Sequence, residues 1–301
     1  MARPLRIAVA GGFYHVMARG IERRSIVGDD RDRIAFLERL RALPQRFGVR
    51  MHAYALMNNH YHLLLETPAA NLSQAMQWLN VSYSVWFNRR RGRVGPLFAG
   101  RFRAKPVDAD AHLLEVSRYV HLNVVRTQAH GLAKTVQASR RLGIGAAPTT
   151  AQVNDRLRTL RQYRWSSYRP YLGLGRACDW LQCQRVRALA GGRTREQQRE
   201  SYRKFVEEAI REGTAEDQWQ RFERGVVIGG AAFVKRMRAL AHGQPLEQPE
   251  VKWFGGQRDF AGIRRAVERV KGERWERFAN RYGDWGRDLG LWLGRTKGGC
   301  R

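Results

Sequence analysis

Cysteine is scarce: Cys178, Cys183 and Cys300 are the only three in 301 residues. The odd number excludes a fully paired disulfide framework, and no histidine stands near Cys178 and Cys183 to complete a zinc set. Reduced, structural thiols are the expectation. Long apolar runs are missing as well. None approaches the roughly 20 residues of a membrane span, and Met1-Ala-Arg-Pro-Leu-Arg6 carries no signal-peptide core. A cytoplasmic protein without a membrane partner is expected. Acidic residues are outnumbered, 27 Asp+Glu against 55 Lys+Arg, for a formal charge of +28, which points to a polyanionic partner. Lysine is rare too, at seven positions, so the charge is mostly arginine, whose planar fork suits bidentate phosphate contacts.

What is present argues against a disordered basic tail. Hydrophobic residues make up 43% and aromatics 10%, enough for a core. Basicity is spread over both halves: residues 1–130 hold 20 basic and 9 acidic side chains, the remainder 35 and 18. The small, uncharged stretch Gly143-Ile-Gly-Ala-Ala-Pro-Thr-Thr-Ala151 reads as an exposed connection. The expected organisation is a folded domain over 1–130, a linker over 131–151, a helical extension over 152–250 and a separate region over 251–301.

Hydrophobic periodicity predicts strands at 12–18, 50–57, 60–67 and 101–107, and helices at 30–47, 72–88 and 109–126. Asn58-Asn59 marks a hairpin link. The order β-α-β-β-α-β with an added helix predicts an α+β fold, a ferredoxin-like antiparallel sheet with helices packed on one face, followed by a mostly helical C-terminal region. In that region 194–213, 230–242 and 257–272 are the clearest helices.

His60 and His62 are two apart in a predicted strand, so both leave one face about 6.5 Å apart and can converge on a metal ion. Strand histidines are also common as packing residues, and the pair alone decides nothing. On the following helix, Tyr119 has Asn123 one turn on, with Glu115 and Arg126 on the same flank, while Leu113, Val116 and Val120 supply a separate apolar stripe. Two histidines and one carboxamide would hold a divalent metal with positions open for phosphate oxygens. Tyr119 could then attack phosphorus, displace a 3′-hydroxyl and become joined to the 5′ end, conserving the phosphodiester energy for rejoining. A phenol with a pKa of about 10 needs help from the metal or from arginines. Arg19, Arg23, Arg24, Arg89, Arg90, Arg91, Arg93, Arg101 and Arg103 cluster near strand ends, and with Arg126 could follow a DNA backbone. Tyr54 and Trp86 are read as core aromatics ahead of base-stacking platforms.

Tyr14-His-Val with Arg19-Gly20, His52-Ala-Tyr54, Asn59-His-Tyr-His-Leu-Leu64, Phe87-Asn-Arg-Arg90, Leu97-Phe-Ala-Gly-Arg-Phe102 and Arg118-Tyr-Val-His-Leu-Asn123 together resemble REP-associated tyrosine transposases. These belong to the HUH single-strand nuclease superfamily and are related to single-tyrosine insertion-sequence transposases. The resemblance is dense over 1–130 and extends to Tyr163-Arg-Trp-Ser-Ser-Tyr168 and Tyr171-Leu-Gly173. It implies metal ligands His60, His62 and Asn123, the nucleophile Tyr119, Mg²⁺ or Mn²⁺ as cofactor, and single-stranded DNA with a REP-type palindromic hairpin as substrate. A single tyrosine suits either a monomer or a homodimer. Ile21, Asn58 and Val124 depart from the family pattern, where Asn, Pro and Pro are usual. Ala261 to Val270 and Asp288 to Arg295 resemble the start of a DnaA-like helix-turn-helix. Rival readings on the same fold are an inactive hairpin-DNA-binding module and an RNA-binding module of the RRM kind, which shares the element order. A zinc hydrolase fits least, lacking a third strong ligand.

Overall fold

Helix α1 (Asp30–Phe47) starts where Asp29 accepts a hydrogen bond from Asp32 N at 3.1 Å and stops at Gly48, whose φ of 65° few other residues tolerate. That pair of signals bounds the first crossover of a four-stranded sheet. The strands are β1 (Gly12–Arg19), β2 (Arg50–Leu56), β3 (His60–Thr67) and β4 (Arg103–Val107), in spatial order β2-β3-β1-β4 with all pairs antiparallel. Helix α2 (Leu72–Arg91) joins β3 to β4, and α3 (Ala109–Leu122) follows. This is the predicted α+β ferredoxin-like arrangement. The computed structural model describes residues 7–126, 148–175, 178–211, 222, 225–241, 260–281 and 283–297. The expected linker at 131–151 lies outside these up to residue 147.

Helices cover both faces of the sheet, not one. On the first face Phe36 of α1 meets Tyr61 of β3 and Tyr83 of α2. The second face is closed by α3, by α6 (Cys183–Leu189), which packs on β2, and by α7 (Arg195–Arg211), which packs on α3. The physical reason lies in the strands: Leu63, Leu64 and Leu65 are all fully buried, so β3 is apolar on both sides. Between these helices, α4 (Thr150–Gln162) opens with a Thr149 and Gln152 capping box, and α5 (Tyr168–Tyr171) is a single turn.

The outer edge of β2 is hydrogen-bonded by residues 163–182. Leu56 N donates to Trp165 O, Ser167 N to Tyr54 O and Gln182 N to Met51 O, at 2.9, 2.9 and 2.7 Å. Side chains complete the row: Tyr54 N donates to Ser167 Oγ, Tyr163 OH to Leu56 O and Tyr171 OH to His52 O. The Tyr163-Arg-Trp-Ser-Ser-Tyr168 motif is thus the edge cover of the sheet. Tyr54 is buried and stacks on Trp180. Cys178 and Cys183 are free thiols.

Two helices differ in length from the periodicity. Helix α2 runs one turn past Asn88 to Arg91 and ends at Gly92 in the left-handed region. Helix α3 stops at Leu122 instead of Arg126; the side chain of Asn123 turns back and its Nδ2 donates to Tyr119 O at 2.7 Å, taking the acceptor that a continuing helix would use.

Residues Ile7–Lys235 form one compact unit, and residues 236–301 belong to a second. Helix α8 (Ala231–Ala241) follows residues 225–230. In the second unit α9 (Phe260–Lys271), α10 (Trp275–Phe278) and α11 (Trp285–Lys297) surround a small core of Ile263, Val267 and Phe278. Lys271 Nζ donates to Asp284 at 2.8 Å, and Glu268 Oε1 caps Trp275 N. Ala261 to Val270 and Asp288 to Arg295 fall within α9 and α11. Among the described residues no helix is long and apolar enough to cross a membrane.

Candidate active site in a basic cleft

Strand register places the site. β1 pairs with β3 so that Met17 lies opposite His62 and Arg19 opposite His60, which puts His15, Met17, Arg19, His60 and His62 on one face. Helix α3 crosses that face and sets Tyr119 over it. The Tyr119 ring stands edge-on to His15 and His62, with centroids 5.2 and 5.7 Å away. Around this contact is a cleft of about 270 Å³ lined by His15, Met17, Arg19, His62, Arg103, Lys105, Tyr119, Asn123, Arg126 and Phe222.

The predicted residues divide cleanly. His62, Tyr119, Asn123, Arg19, Arg103 and Arg126 share the cleft, and His60 joins it through the His62 ring, 5.0 Å away. Arg126 also lies over the Tyr119 ring at 5.6 Å. Arg23, Arg24, Arg89, Arg90 and Arg101 do not line it. Arg24 pairs with Glu22, and Arg23 is exposed in a turn where it and Glu22 both adopt positive φ. Arg89 and Arg101 are exposed. Arg90 is structural, since with Arg91 it binds Asp29 and the fully buried Asp32. Glu115 is held by Arg118 beside it.

Four lining residues, His15, Met17, Lys105 and Phe222, escaped the sequence reading. His15 was visible in Tyr14-His-Val but had no assigned role, because its partner is 47 positions away: His15 Nε2 lies 2.9 Å from His62 Nδ1. Lys105 Nζ donates to Phe222 O at 2.7 Å, and Phe222 packs edge-on to Tyr119. Nothing local in the sequence signals the Phe222 contact.

The imidazoles are neutral at pH 7. Burial pushes His60 down to about 4, with Arg19 adding repulsion, and His15 to about 3, with Lys105 adding to it. His62 is held well below the ordinary value by burial and by His15, His60, Arg126 and Arg19 around it. Neutral histidines are ready ligands. His60 Nδ1 sits 2.7 Å from Asn59 Oδ1, an atom that only accepts, so Nδ1 carries the proton and Nε2 the lone pair. Asn123 spends its Nδ2 on Tyr119 O, leaving Oδ1 as a donor to a cation. Among the described residues no three His, Cys, Asp or Glu side chains converge on a metal position; the further oxygen donor in the cleft is the amide of Asn123. Two imidazoles and one amide oxygen are donors compatible with a divalent ion.

Residues 8–123 match the family described as Transposase IS200 like. The matched segment takes in the whole sheet and ends at Asn123, so it includes His15, His60, His62 and Tyr119. Among solved structures, that of a REP-associated tyrosine transposase bound to a REP hairpin aligns with 49% of this chain and 89% of that chain, at 18% identity and a TM-score of 0.35. No curated protein matches the chain.

The departures at Ile21, Asn58 and Val124 each make a local contact here. Ile21 N donates to Leu97 O, and Val124 N, which a proline would lack, faces His121 O at 3.3 Å. Asn58 Oδ1 accepts from Arg33 at 2.7 Å, and its carbonyl accepts from Ile26 N.

Proposed function

We propose that this chain is a single-stranded DNA nicking and rejoining transposase that acts at REP-type palindromic hairpins, with Tyr119 as nucleophile. The observation that carries the reading is the placement of Tyr119 within ring contact of His62, in a cleft that also holds Asn123 and the cations Arg19, Arg103, Lys105 and Arg126. Tyr119 Oη attacks the scissile phosphorus, forming an O–P bond as the bond to the 3′-oxygen breaks. The phenolic proton is given up and the departing 3′-oxygen takes one, leaving a 3′-hydroxyl and a 5′-phosphotyrosine. The reverse reaction rejoins a strand. Arg19, Arg103 and Arg126 offset the charge that builds on the phosphate. His60, His62 and Asn123 would hold Mn²⁺ or Mg²⁺, with histidine ligation favouring Mn²⁺, and the ion supplies polarisation of the phosphate. Such a protein would work on the nucleoid in the cytoplasm, as a monomer or a homodimer.

The alternative is a hairpin-binding module without cleavage. The burial of Tyr119, 5% exposed, is the observation in its favour. An RRM-like RNA-binding role has less support, since the sheet face such a module would offer to bases is covered by α3. Incubating the protein with end-labelled single strands carrying the palindromes that flank its gene, with Mn²⁺ or Mg²⁺, tests the reading on a denaturing gel. A protein–DNA adduct with a released 3′-hydroxyl fragment, absent from Tyr119→Phe although that variant still binds, is expected. An adduct that survives in Tyr119→Phe refutes the assignment, and tight binding without an adduct leaves the binding module.

A further inference from the structure

The contact between His15 and His62 has an unusual form. The two ring planes are parallel to within 5°, their centroids are 5.1 Å apart, and the nearest nitrogens are 2.9 Å apart. That separation is what two imidazoles joined nitrogen to nitrogen in one plane produce, so the rings meet edge to edge through one N–H···N bond. Both are buried, with His15 reached diagonally from β1 across the β1–β3 ladder. One proton lies between them, and which ring owns it decides what His62 offers to the cleft. If His15 donates, His62 Nε2 carries the other proton and has no lone pair to give. If His62 donates, its Nε2 is a free donor, like the Nε2 that Asn59 leaves to His60.

We propose that His15 is the positioning residue of the cation site: it accepts the His62 Nδ1 proton and so fixes His62 in the tautomer whose Nε2 can ligate a metal. This rests on the metal reading above. A ligating histidine most often passes its second N–H to a carboxylate, carbonyl or water. Here the acceptor is a neutral imidazole, in keeping with a cleft lined by arginine and lysine. A cation on Nε2 draws charge from the ring and makes Nδ1–H a better donor, so the hydrogen bond and the coordination reinforce each other.

The test uses the full chain with ¹⁵N-labelled histidine. In metal-free protein, two-bond ¹H–¹⁵N spectra report the protonated nitrogen of His62 directly. The expected result is Nδ1–H in the wild type, and a shift toward Nε2–H in His15→Phe, which keeps ring volume but accepts nothing. Mn²⁺, added with hairpin DNA to the non-cleaving Tyr119→Phe background, should broaden the His60 and His62 signals. Its affinity should fall about 10- to 100-fold in His15→Phe and recover largely in His15→Gln, whose amide oxygen can accept. An Nε2–H tautomer in the wild type, or unchanged Mn²⁺ affinity in His15→Phe, overturns the role of His15 while the metal reading stands. If Mn²⁺ leaves His60 and His62 untouched in the His15-intact protein, the metal reading falls and this role with it. Should His15→Phe fail to fold, the wild-type tautomer and His15→Gln still decide the matter.

Discussion

The Nε2 of His121 lies 2.7 Å from the Oγ of Ser167, joining the helix that carries Tyr119 to the segment that covers the edge of β2. On its other side His121 Nδ1 meets Tyr202 OH at 2.8 Å, and that hydroxyl meets Ser117 Oγ at 2.9 Å. All four side chains are fully buried. Removing one member strands its partners without water, at about 1–3 kcal/mol. Ser167→Ala should therefore lower the unfolding free energy by that amount in urea titration and reduce strand cleavage through misplacement of α3. A variant as stable and as active as the wild type would show that the network does not position the tyrosine.

Acid should destabilise the protein through its buried histidines. His60 and His121 are held down to about 4 and about 3 by burial, so the unfolded chain takes up protons near 6.5 while the folded chain resists. Stability is complete above the unfolded value and is lost as pH falls through the window between 6.5 and the folded values. The melting temperature should be level above about pH 7 and fall steadily toward pH 4, measured in 0.5 M salt to screen general charge repulsion. A midpoint that rises on acidification contradicts this sign.

Arg90 and Arg103 should respond in opposite ways. Arg90→Ala removes one of the two guanidinium partners of the buried Asp32, Arg91 keeping the other, and should lower the melting temperature. Arg103 is exposed at the rim of the cleft. Arg103→Ala should leave the melting temperature alone, weaken binding to hairpin DNA and lower the slope of log affinity against log salt by about one. Equal melting temperatures for the two variants would remove the distinction.

Metal and DNA should bind as a pair. Among the described residues lining the cleft there is no carboxylate, and Arg19, Arg103, Lys105 and Arg126 surround neutral donors. A divalent ion entering alone meets the repulsion of these cations, which a phosphate's negative charge offsets. Calorimetry on Tyr119→Phe should find Mn²⁺ affinity at least about tenfold higher with hairpin DNA present, a coupling of about 1.4 kcal/mol, and DNA affinity raised by the same factor with Mn²⁺. Identical affinities with and without DNA would argue against a shared phosphate.

Elements bounded by local chemistry were legible in the sequence. Helix α1 and strand β3 begin and end at the expected residues because Asp29, Gly48 and Pro68 act on their own neighbours. The same holds for His60 and His62, whose shared face follows from strand alternation. What the sequence hides is set by partners far along the chain. His15 acquires meaning only when register brings β1 beside β3. Arg90 and Arg103 read alike as members of basic runs, and only the fold gives one to Asp32 and the other to the cleft. The motif from Tyr163 to Tyr168 stood out in the sequence, yet its role depends on a strand edge more than a hundred residues earlier.

That covered edge sets the smallest piece of the chain worth handling in isolation. A fragment ending near residue 126 would retain the sheet, Tyr119 and both site histidines while baring the polar groups of Met51, His52, Tyr54 and Leu56 that residues 163–182 now satisfy. An open strand of this kind recruits another like it. Such a fragment would be expected to precipitate as stacked sheets, so the smallest piece that keeps this edge covered extends through Gln182.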